Sequence, residues 1–285
     1  MQKVLIIGGS RFIGPFLVEE LLFRGHEVTV FNRGRIQKQY PDRVRFIPGD
    51  RNDGFGVKER FDAVIDMCAM YGAHTAKAIN ELVFDFFVNL GTAAVYEKSE
   101  LFPLTEESNL GNWSLWGDYN RGKVECERVL AKSGVSYASL RPVYILGPRN
   151  YLLREAFIYA KLKRGEPLIL PGNGQALLQF IHAREVAASL ALIMEKRIEG
   201  VFNCAGDKIV TLRGLIEEMA GIVHKEPHIE YNPKADGWRF NAREFPFANE
   251  NFVVANDKIK GLGARFAPIS EFLRSDYDNY YEKII

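Results

Sequence analysis

Lys3-Val4-Leu5-Ile6-Ile7-Gly8-Gly9-Ser10-Arg11-Phe12-Ile13-Gly14 is the stretch on which the reading of this chain turns. Val4 to Ile7 are continuously apolar, the pattern of a central parallel strand buried on both faces. The glycines behind them allow a tight turn into a helix starting near Phe12, and Phe16-Leu17-Val18-Glu19-Glu20-Leu21-Leu22 carries the helical period onward. Gly8 permits the turn, and Gly14 lets the helix approach the strand closely. Backbone amides at Ser10, Arg11, Phe12 and Ile13 then face an anionic pyrophosphate with the helix dipole behind them, so the stretch predicts dinucleotide binding.

Working outward, strands alternate with helices. Strands are expected at Glu27 to Phe31, Val44 to Pro48, Phe61 to Met67, Phe84 to Leu90, Ser136 to Arg141 and Gly200 to Asn203. Long helical patterns fill Tyr71 to Leu82, Asp118 to Lys132 and Ala183 to Glu195. This rhythm predicts an α/β fold built on a doubly wound parallel sheet of Rossmann type. From Pro142 the pattern loosens into loops and isolated helices, which points to a smaller, discontinuous C-terminal substrate domain. The expected division is residues 1–141 plus 181–206 for the dinucleotide, and 142–180 plus 207–285 for the substrate.

Composition narrows the function classes. With 285 residues, 47% of them hydrophobic, the chain can bury a full core. Its net charge of +1 and the lack of a long Lys/Arg run argue against nucleic acid or an acidic membrane surface as partner. No apolar stretch approaches the roughly 20 residues of a membrane span, and the apolar N-terminus already serves as a strand, so a cytoplasmic setting is expected. Cys68, Cys126 and Cys204 lie in apolar segments without metal-type spacing and read as reduced core thiols. The five histidines form no ligand pattern, so no metal is expected. The oligomeric state is not written in the sequence, and a homodimer is allowed.

The segments after each strand carry the chemistry, because ligands in such sheets bind outside the strands' carboxyl ends. The second strand ends in Phe31-Asn32-Arg33-Gly34, where NAD enzymes usually place an acid for the ribose hydroxyls. Here Arg33 stands beside Asn32 and Arg11 sits inside the glycine turn, so two guanidinium groups can converge on a 2′-phosphate. That favours NADP as the cofactor, with NAD as second choice. After the third strand come Asp50 and Arg51; Asp50 either accepts from the adenine amino group or caps a helix. Thr92 follows the fifth strand, at the cofactor end of the sheet. Tyr119 and Lys123 are four apart, which on a helix puts both on one face with Cβ atoms about 5–6 Å apart. A free tyrosine phenol is a poor base at neutral pH, but a neighbouring ammonium and an oxidised nicotinamide favour the phenolate and make proton transfer feasible.

Gly8 to Gly14, Thr92, Tyr119 with Lys123, Arg141-Pro142 leading to Gly147-Pro148, and Phe180-Ile181-His182 together resemble the extended short-chain dehydrogenase/reductase family, the NAD-dependent epimerase/dehydratase group, over essentially the whole chain. The resemblance implies that Thr92 orients a substrate hydroxyl, that Tyr119 is the acid/base, and that Lys123 binds the nicotinamide ribose and tunes the tyrosine. It also implies a small sugar-like substrate oxidised and reduced through a nicotinamide cofactor. The middle glycine of the family's turn is Arg11 here, as in NADP-using members with a basic residue at that point. Tyr144 and Leu178 replace the asparagine and arginine that help hold a nucleotide diphosphate in typical members, which speaks against a UDP-sugar. Arg149, Arg154 or Arg239 can supply a relocated clamp.

The substrate side is expected from residues 112–116, 144–154, 171–180 and 236–247, with Trp113 and Trp116 as an apolar wall or as core. Gly-Gly-Ser-Arg-Phe-Ile-Gly, Phe245-Pro246-Phe247 and Asn256-Asp257-Lys258 are similar to an atypical branch that includes the chloroplast stem-loop RNA-binding proteins and their prokaryotic relatives. Two classes of function therefore compete, a nicotinamide-dependent enzyme and an RNA-binding protein on a retained dehydrogenase scaffold. An intact Thr92, Tyr119 and Lys123 favour the enzyme.

Overall fold

The computed structural model describes residues 1–36, 40–235 and 237–285, with Trp238 described by its backbone alone. Asp236, expected on the substrate side, lies outside the described residues. In chain order the first half runs β1 (Lys3–Ile7), α1 (Ile13–Phe23), β2 (Glu27–Asn32), β3 (Arg45–Pro48), β4 (Arg60–Asp66), α2 (Gly72–Glu81), β5 (Val83–Leu90), α3 (Gly117–Ser133) and β6 (Tyr137–Pro142). The second half runs β7 (Tyr144–Leu146), α4 (Arg154–Arg164), β8 (Leu168–Pro171), β9 (Leu177–His182), α5 (Ala183–Lys196), β10 (Gly200–Cys204), β11 (Ile209–Thr211), α6 (Leu212–Ile222), β12 (Ile229–Asn232), α7 (Asp257–Gly261) and α8 (Ile269–Asn279).

A seven-stranded sheet in the order β10-β6-β5-β4-β1-β2-β3 is parallel throughout. The alternation along β1 explains why both its faces are covered. Val4 and Ile6 pack with Leu17, Leu21 and Val186 on the side of α1 and α5, while Leu5 and Ile7 pack with Ala78, Leu82 and Leu130 on the side of α2 and α3. Each such burial contributes about 1.5–3 kcal/mol, which fixes the strand that carries the glycine turn. Strand order reverses at β1, whose neighbours are β2 and β4, and the crevice at this switch point is where ligands bind in open sheets of this kind.

Two smaller sheets complete the chain, β11-β9-β7 and β12-β8. Residue Phe252 joins β9 by bonds from its amide to Leu177 O (2.8 Å) and from the Gln179 amide to its carbonyl (3.3 Å). The same short run is fastened on its other side, where Leu104 N donates to Val253 O (2.9 Å) and Ala255 N to Leu104 O (2.8 Å). No helix among the described residues is long and apolar enough to cross a membrane.

The region after Pro142 is more regular than its sequence suggests. α4 and α6 are well-formed helices, and α6 is capped by Thr211, whose side chain accepts from Gly214 N. Strands β7, β8, β9, β11 and β12 are short, between three and six residues, too brief for a period to stand out from loop sequence.

Candidate active site

The turn after β1 is strained where it meets the ligand side. Gly8 and Gly9 adopt φ of 101° and 75°, and Gly8 N donates to Phe31 O at 2.9 Å, tying the turn to β2. A Cβ on Gly14 would stand 2.3 Å from the carbonyl carbon and oxygen of Gly9, so the close approach is between the helix and the turn itself rather than the strand. Gly9, not singled out from sequence, suits the turn through its own positive φ, while a Cβ added there would meet the Ile6 side chain at 3.1 Å. Phe12 takes a left-handed φ of 49°, held by its buried ring and an edge contact with Tyr151 at 6.3 Å. Such a residue costs about 1–3 kcal/mol and persists where its surroundings over-determine it. Among the described residues, the amides of Ser10, Arg11 and Phe12 donate to no other backbone group, and they lie at the start of α1 as anion-facing donors.

These residues form one wall of a cavity of about 720 Å³ between the ends of β1, β2 and β4. The glycine cradle, the free amides and the cavity's size fit a dinucleotide. Asn32 orders the β2 end by donating to Gly8 O (3.0 Å) and to the Tyr40 hydroxyl (3.2 Å), and it accepts from Gly34 N (2.9 Å). Arg11 and Arg33 are exposed on the cavity wall, and Arg35, missed in the sequence reading, joins them two residues beyond Arg33. Arg33 lies 3.8 Å from Asp50. Asp50 Oδ1 accepts from Asn52 N at 3.0 Å and so closes a turn, and no helix follows for it to cap.

Arg51 also lines this cavity, and its guanidinium is engaged within the wall. Its guanidinium grips buried Asp66 in a forked pair at 3.0 and 2.7 Å and donates to His74 O at 2.9 Å. Burial disfavours its charge, but Asp66 outweighs burial and leaves the guanidinium more basic than usual. Arg51 is thus a pillar between β4 and α2, with its fork already occupied. Cys68 departs from expectation: its thiol opens onto the cavity, while Cys126 and Cys204 are buried. The low-dielectric wall pushes the Cys68 thiol up to about 11, and nearby Asp66 adds to this against the opposing Arg51.

Two of the candidate catalytic groups, Thr92 and Lys123, lie at the end of β5. Thr92 Oγ1 accepts from Ala94 N at 3.2 Å, capping a short turn over Ala93–Val95 and leaving its own hydrogen for another partner. Asn120 Nδ2 donates to Ala94 O at 2.6 Å and fastens α3 to that turn. A Cβ on Gly122 would sit 2.1 Å from Met70 O, so only glycine lets α3 seat this deeply. The seating drives Lys123 inside, 5% exposed, where its ammonium donates to Leu90 O at 2.9 Å and keeps two further hydrogens. Tyr119 lies one turn earlier on the same helix, 38% exposed with its phenol accessible.

On the substrate side, Tyr144 and Leu178 are buried in apolar packing. Tyr144 touches Trp116, Phe180, Phe247 and Phe252 with ring centroids 5.1–5.9 Å apart. Burial pushes its hydroxyl up to about 12, so it stays neutral. Trp113 is core, its indole donating to Glu250 at 2.6 Å, whereas Trp116 is only partly buried and lies between Trp113 and Tyr144. Arg149 and Arg239 are exposed, and Arg154 lies over the Tyr144 and Phe247 rings.

Comparison with known proteins follows the same geometry. The family model described as NAD dependent epimerase/dehydratase family matches residues 4–84 and 69–205. The chain is 33% identical over 282 residues to the chloroplast stem-loop binding protein of 41 kDa b from Arabidopsis thaliana, covering 91% of this chain and 73% of the relative. A UDP-N-acetylglucosamine 4-epimerase from Methanobrevibacter ruminantium, solved with UDP-N-acetylmuramic acid, superposes with a TM-score of 0.81 at 20% identity, covering 99% of both chains. The UDP-glucose 4-epimerase of Thermus thermophilus, solved with NAD, gives 0.76 at 20% identity, covering 99% of this chain and 100% of that one. A glycine turn at a switch point, a buried lysine one helical turn from an open tyrosine, and a family match through more than half of the sequence agree, and the chain belongs to the NAD-dependent epimerase/dehydratase family.

Proposed function

We propose that this protein is an NADP-dependent oxidoreductase of the epimerase/dehydratase type, acting at a hydroxyl or carbonyl carbon of a sugar-like substrate. The observation that carries the reading is Lys123, buried on the Leu90 carbonyl with Tyr119 open one turn away. A binding protein has no physical need to bury an ammonium there. The Tyr119 phenol exchanges a proton with the reacting hydroxyl, and the Lys123 ammonium stabilises the phenolate that results. Thr92 donates its free hydrogen to the same substrate oxygen and fixes its direction. A nicotinamide bound beside them would supply the hydride acceptor and donor. Residues 1–141 plus 181–206 would hold the cofactor, and 142–180 plus 207–285 the substrate. Three unpaired cysteines suit a reducing, cytoplasmic setting.

The preference for NADP rests on Arg11, Arg33 and Arg35 around the β2 end, three cations against the one carboxylate of Asp50 beside Arg33. Fluorescence titration of NADPH and NADH is the test. The parent should bind NADPH at least roughly tenfold more tightly, and Arg33→Ala should shrink that ratio by a similar factor, since a charge-assisted bond contributes about 1.5–3 kcal/mol. Equal affinities in the parent would remove the NADP assignment, and failure to bind either cofactor would remove the enzyme reading altogether. Similarity to the chloroplast stem-loop binding protein favours a second reading, recognition of structured RNA.

A further inference from the structure

Resting on the catalytic reading above, we propose that His74 is a positioning residue: its imidazole latches the turn on which α3 is seated, and so fixes where Lys123 stands beside the dinucleotide cavity. The turn runs from Met70 to His74 and opens α2, whose N-cap residue, Tyr71, makes no capping bond with its side chain. His74 supplies a bond from inside the helix, because its Nδ1 accepts from Met70 N at 3.1 Å. Its backbone is held as well, with His74 N donating to Tyr71 O at 2.9 Å and Arg51 donating to His74 O at 2.9 Å.

α3 meets Met70, Tyr71 and Gly72 in succession. A Cβ on Gly122 would press on Met70 O and stand 2.9 Å from Tyr71 Cδ1, and one on Gly72 would stand 3.1 Å from Glu125 Cβ and 3.2 Å from Val129 Cγ2. Gly72 N also donates to Glu125 Oε2 at 3.4 Å. Packing this close leaves no slack, so a shift of Met70 O is a shift of Gly122, and Lys123 is the next residue in the chain. The latch also borders the ligand, since Met70 and His74 both line the cavity that the glycine turn closes on its other side.

Charge decides whether the latch is shut. With Nδ1 accepting, the neutral ring carries its proton on Nε2. Partial burial and the Arg51 guanidinium make the imidazole less basic than usual; Lys123 acts in the same sense, and Asp66 and Asp50 oppose them without prevailing. The Tyr71 ring covers another side, its centre 5.5 Å away, and Glu125 reaches the turn through Gly72 N. As the pH falls through the folded value, below the usual 6.5, Nδ1 takes up a proton. Two N–H groups then confront each other and the seat of α3 is released.

The test uses the full chain with NADP+ as probe, at about pH 7.5 and about pH 5, on either side of an ordinary histidine titration. NMR of isotope-labelled histidine locates the ring proton, calorimetry gives the NADP+ affinity, and hydrogen exchange, corrected for the intrinsic rate, gives the protection of the Met70 amide. In the parent the His74 proton should sit on Nε2 at the higher pH, with Met70 protected there and not at the lower pH. His74→Asn sets an amide oxygen near the place of Nδ1 and does not titrate, so it should keep Met70 protected at both and bind NADP+ within about threefold of the parent at the higher pH. His74→Leu removes the acceptor and should weaken NADP+ roughly tenfold at the higher pH. In a Lys123→Ala background the same change should add less than about twofold, because the latch acts through that ammonium. The 2′-phosphate of the cofactor also gains a proton across this range, in every variant alike. The parent should therefore lose roughly tenfold more affinity on acidification than His74→Asn does, and this comparison carries the decision if His74→Leu does not fold. A proton on Nδ1 at the higher pH, equal acid losses in parent and His74→Asn, parental affinity in His74→Leu, or an undiminished effect in the Lys123→Ala background would each overturn the proposal. A parent that binds neither NADP+ nor NAD+ would instead sink the catalytic reading, and this proposal with it.

Discussion

At the scale of single residues, the chemistry depends on where the tyrosine proton goes. Tyr119→Phe should lower turnover by several powers of ten and leave cofactor affinity within about twofold, because only the exchangeable proton is removed. Lys123→Ala should impair both, since it also leaves Leu90 O without its buried donor. Steady-state rates with NADPH titrations on each variant decide the matter, and near-parental turnover by Tyr119→Phe would end the assignment. The placement of Thr92 just past a strand end, and of Tyr119 and Lys123 four apart on one helix, was legible in sequence because it is local. The pairing of Arg51 was not legible. Its partner Asp66 lies fifteen positions further along on another strand, and nothing in Gly49-Asp50-Arg51 reveals that the fork is already taken. Arg35 does carry a signal in the sequence, a third basic residue close behind the β2 end.

Among elements, the ends of α1 and α5 are joined by a small charged network. Glu195 accepts from Arg24 at 2.6 Å and from His26 Nε2 at 2.9 Å, while Glu20 holds the other side of Arg24 at 2.7 Å. His26 Nδ1 accepts from Gln2 N at 3.2 Å, which directs the ring proton at Glu195. Partial burial pulls the Glu195 carboxyl upward, but the bonds from His26 and Arg24 outweigh it and hold it below the usual carboxylate value. A depressed carboxyl contributes stability that is fully present above its unfolded value, near 4.5, and is lost as pH falls through its folded value. The group is partly exposed, so Glu195→Gln should cost only about 0.5–1 kcal/mol at pH 7. Urea unfolding at pH 7 and pH 3.5 checks this, with the gap between parent and variant expected to narrow at the lower pH. An undiminished gap would show that the effect is not ionic.

Elements up to β6 and the α5–β10 pair were readable because long apolar strands buried on both faces alternate with helices long enough to show their period. Beyond Pro142, strands of three to six residues owe their existence to tertiary partners, such as β12 beside β8 and β11 beside β9, that local pattern does not encode.

For the molecule as a whole, charge separates the two readings of function. A net charge of +1 gives little general attraction to a polyphosphate. Filter binding of a stem-loop RNA over a salt series should show only weak retention, with dissociation constants above about 10 μM near physiological salt. Tight binding that falls steeply with salt would instead favour the RNA reading, since each neutralised phosphate adds close to one unit to the logarithmic slope.

The stitching of Phe252 to β9, and of Val253 and Ala255 to Leu104, also sets an order of assembly in time. Synthesis runs from the N-terminus at about 5–20 residues per second, and folding units form as they emerge. The strands flanking the glycine turn are complete while the run around residue 252 does not yet exist. Until it arrives, the layer formed by Trp116, Tyr144 and Phe180 lacks the Phe247 and Phe252 rings that close it. A chain still on the ribosome therefore has the makings of its cofactor cradle well before its substrate wall, and a dinucleotide present in the cell is available to brace the first half while the second is being made.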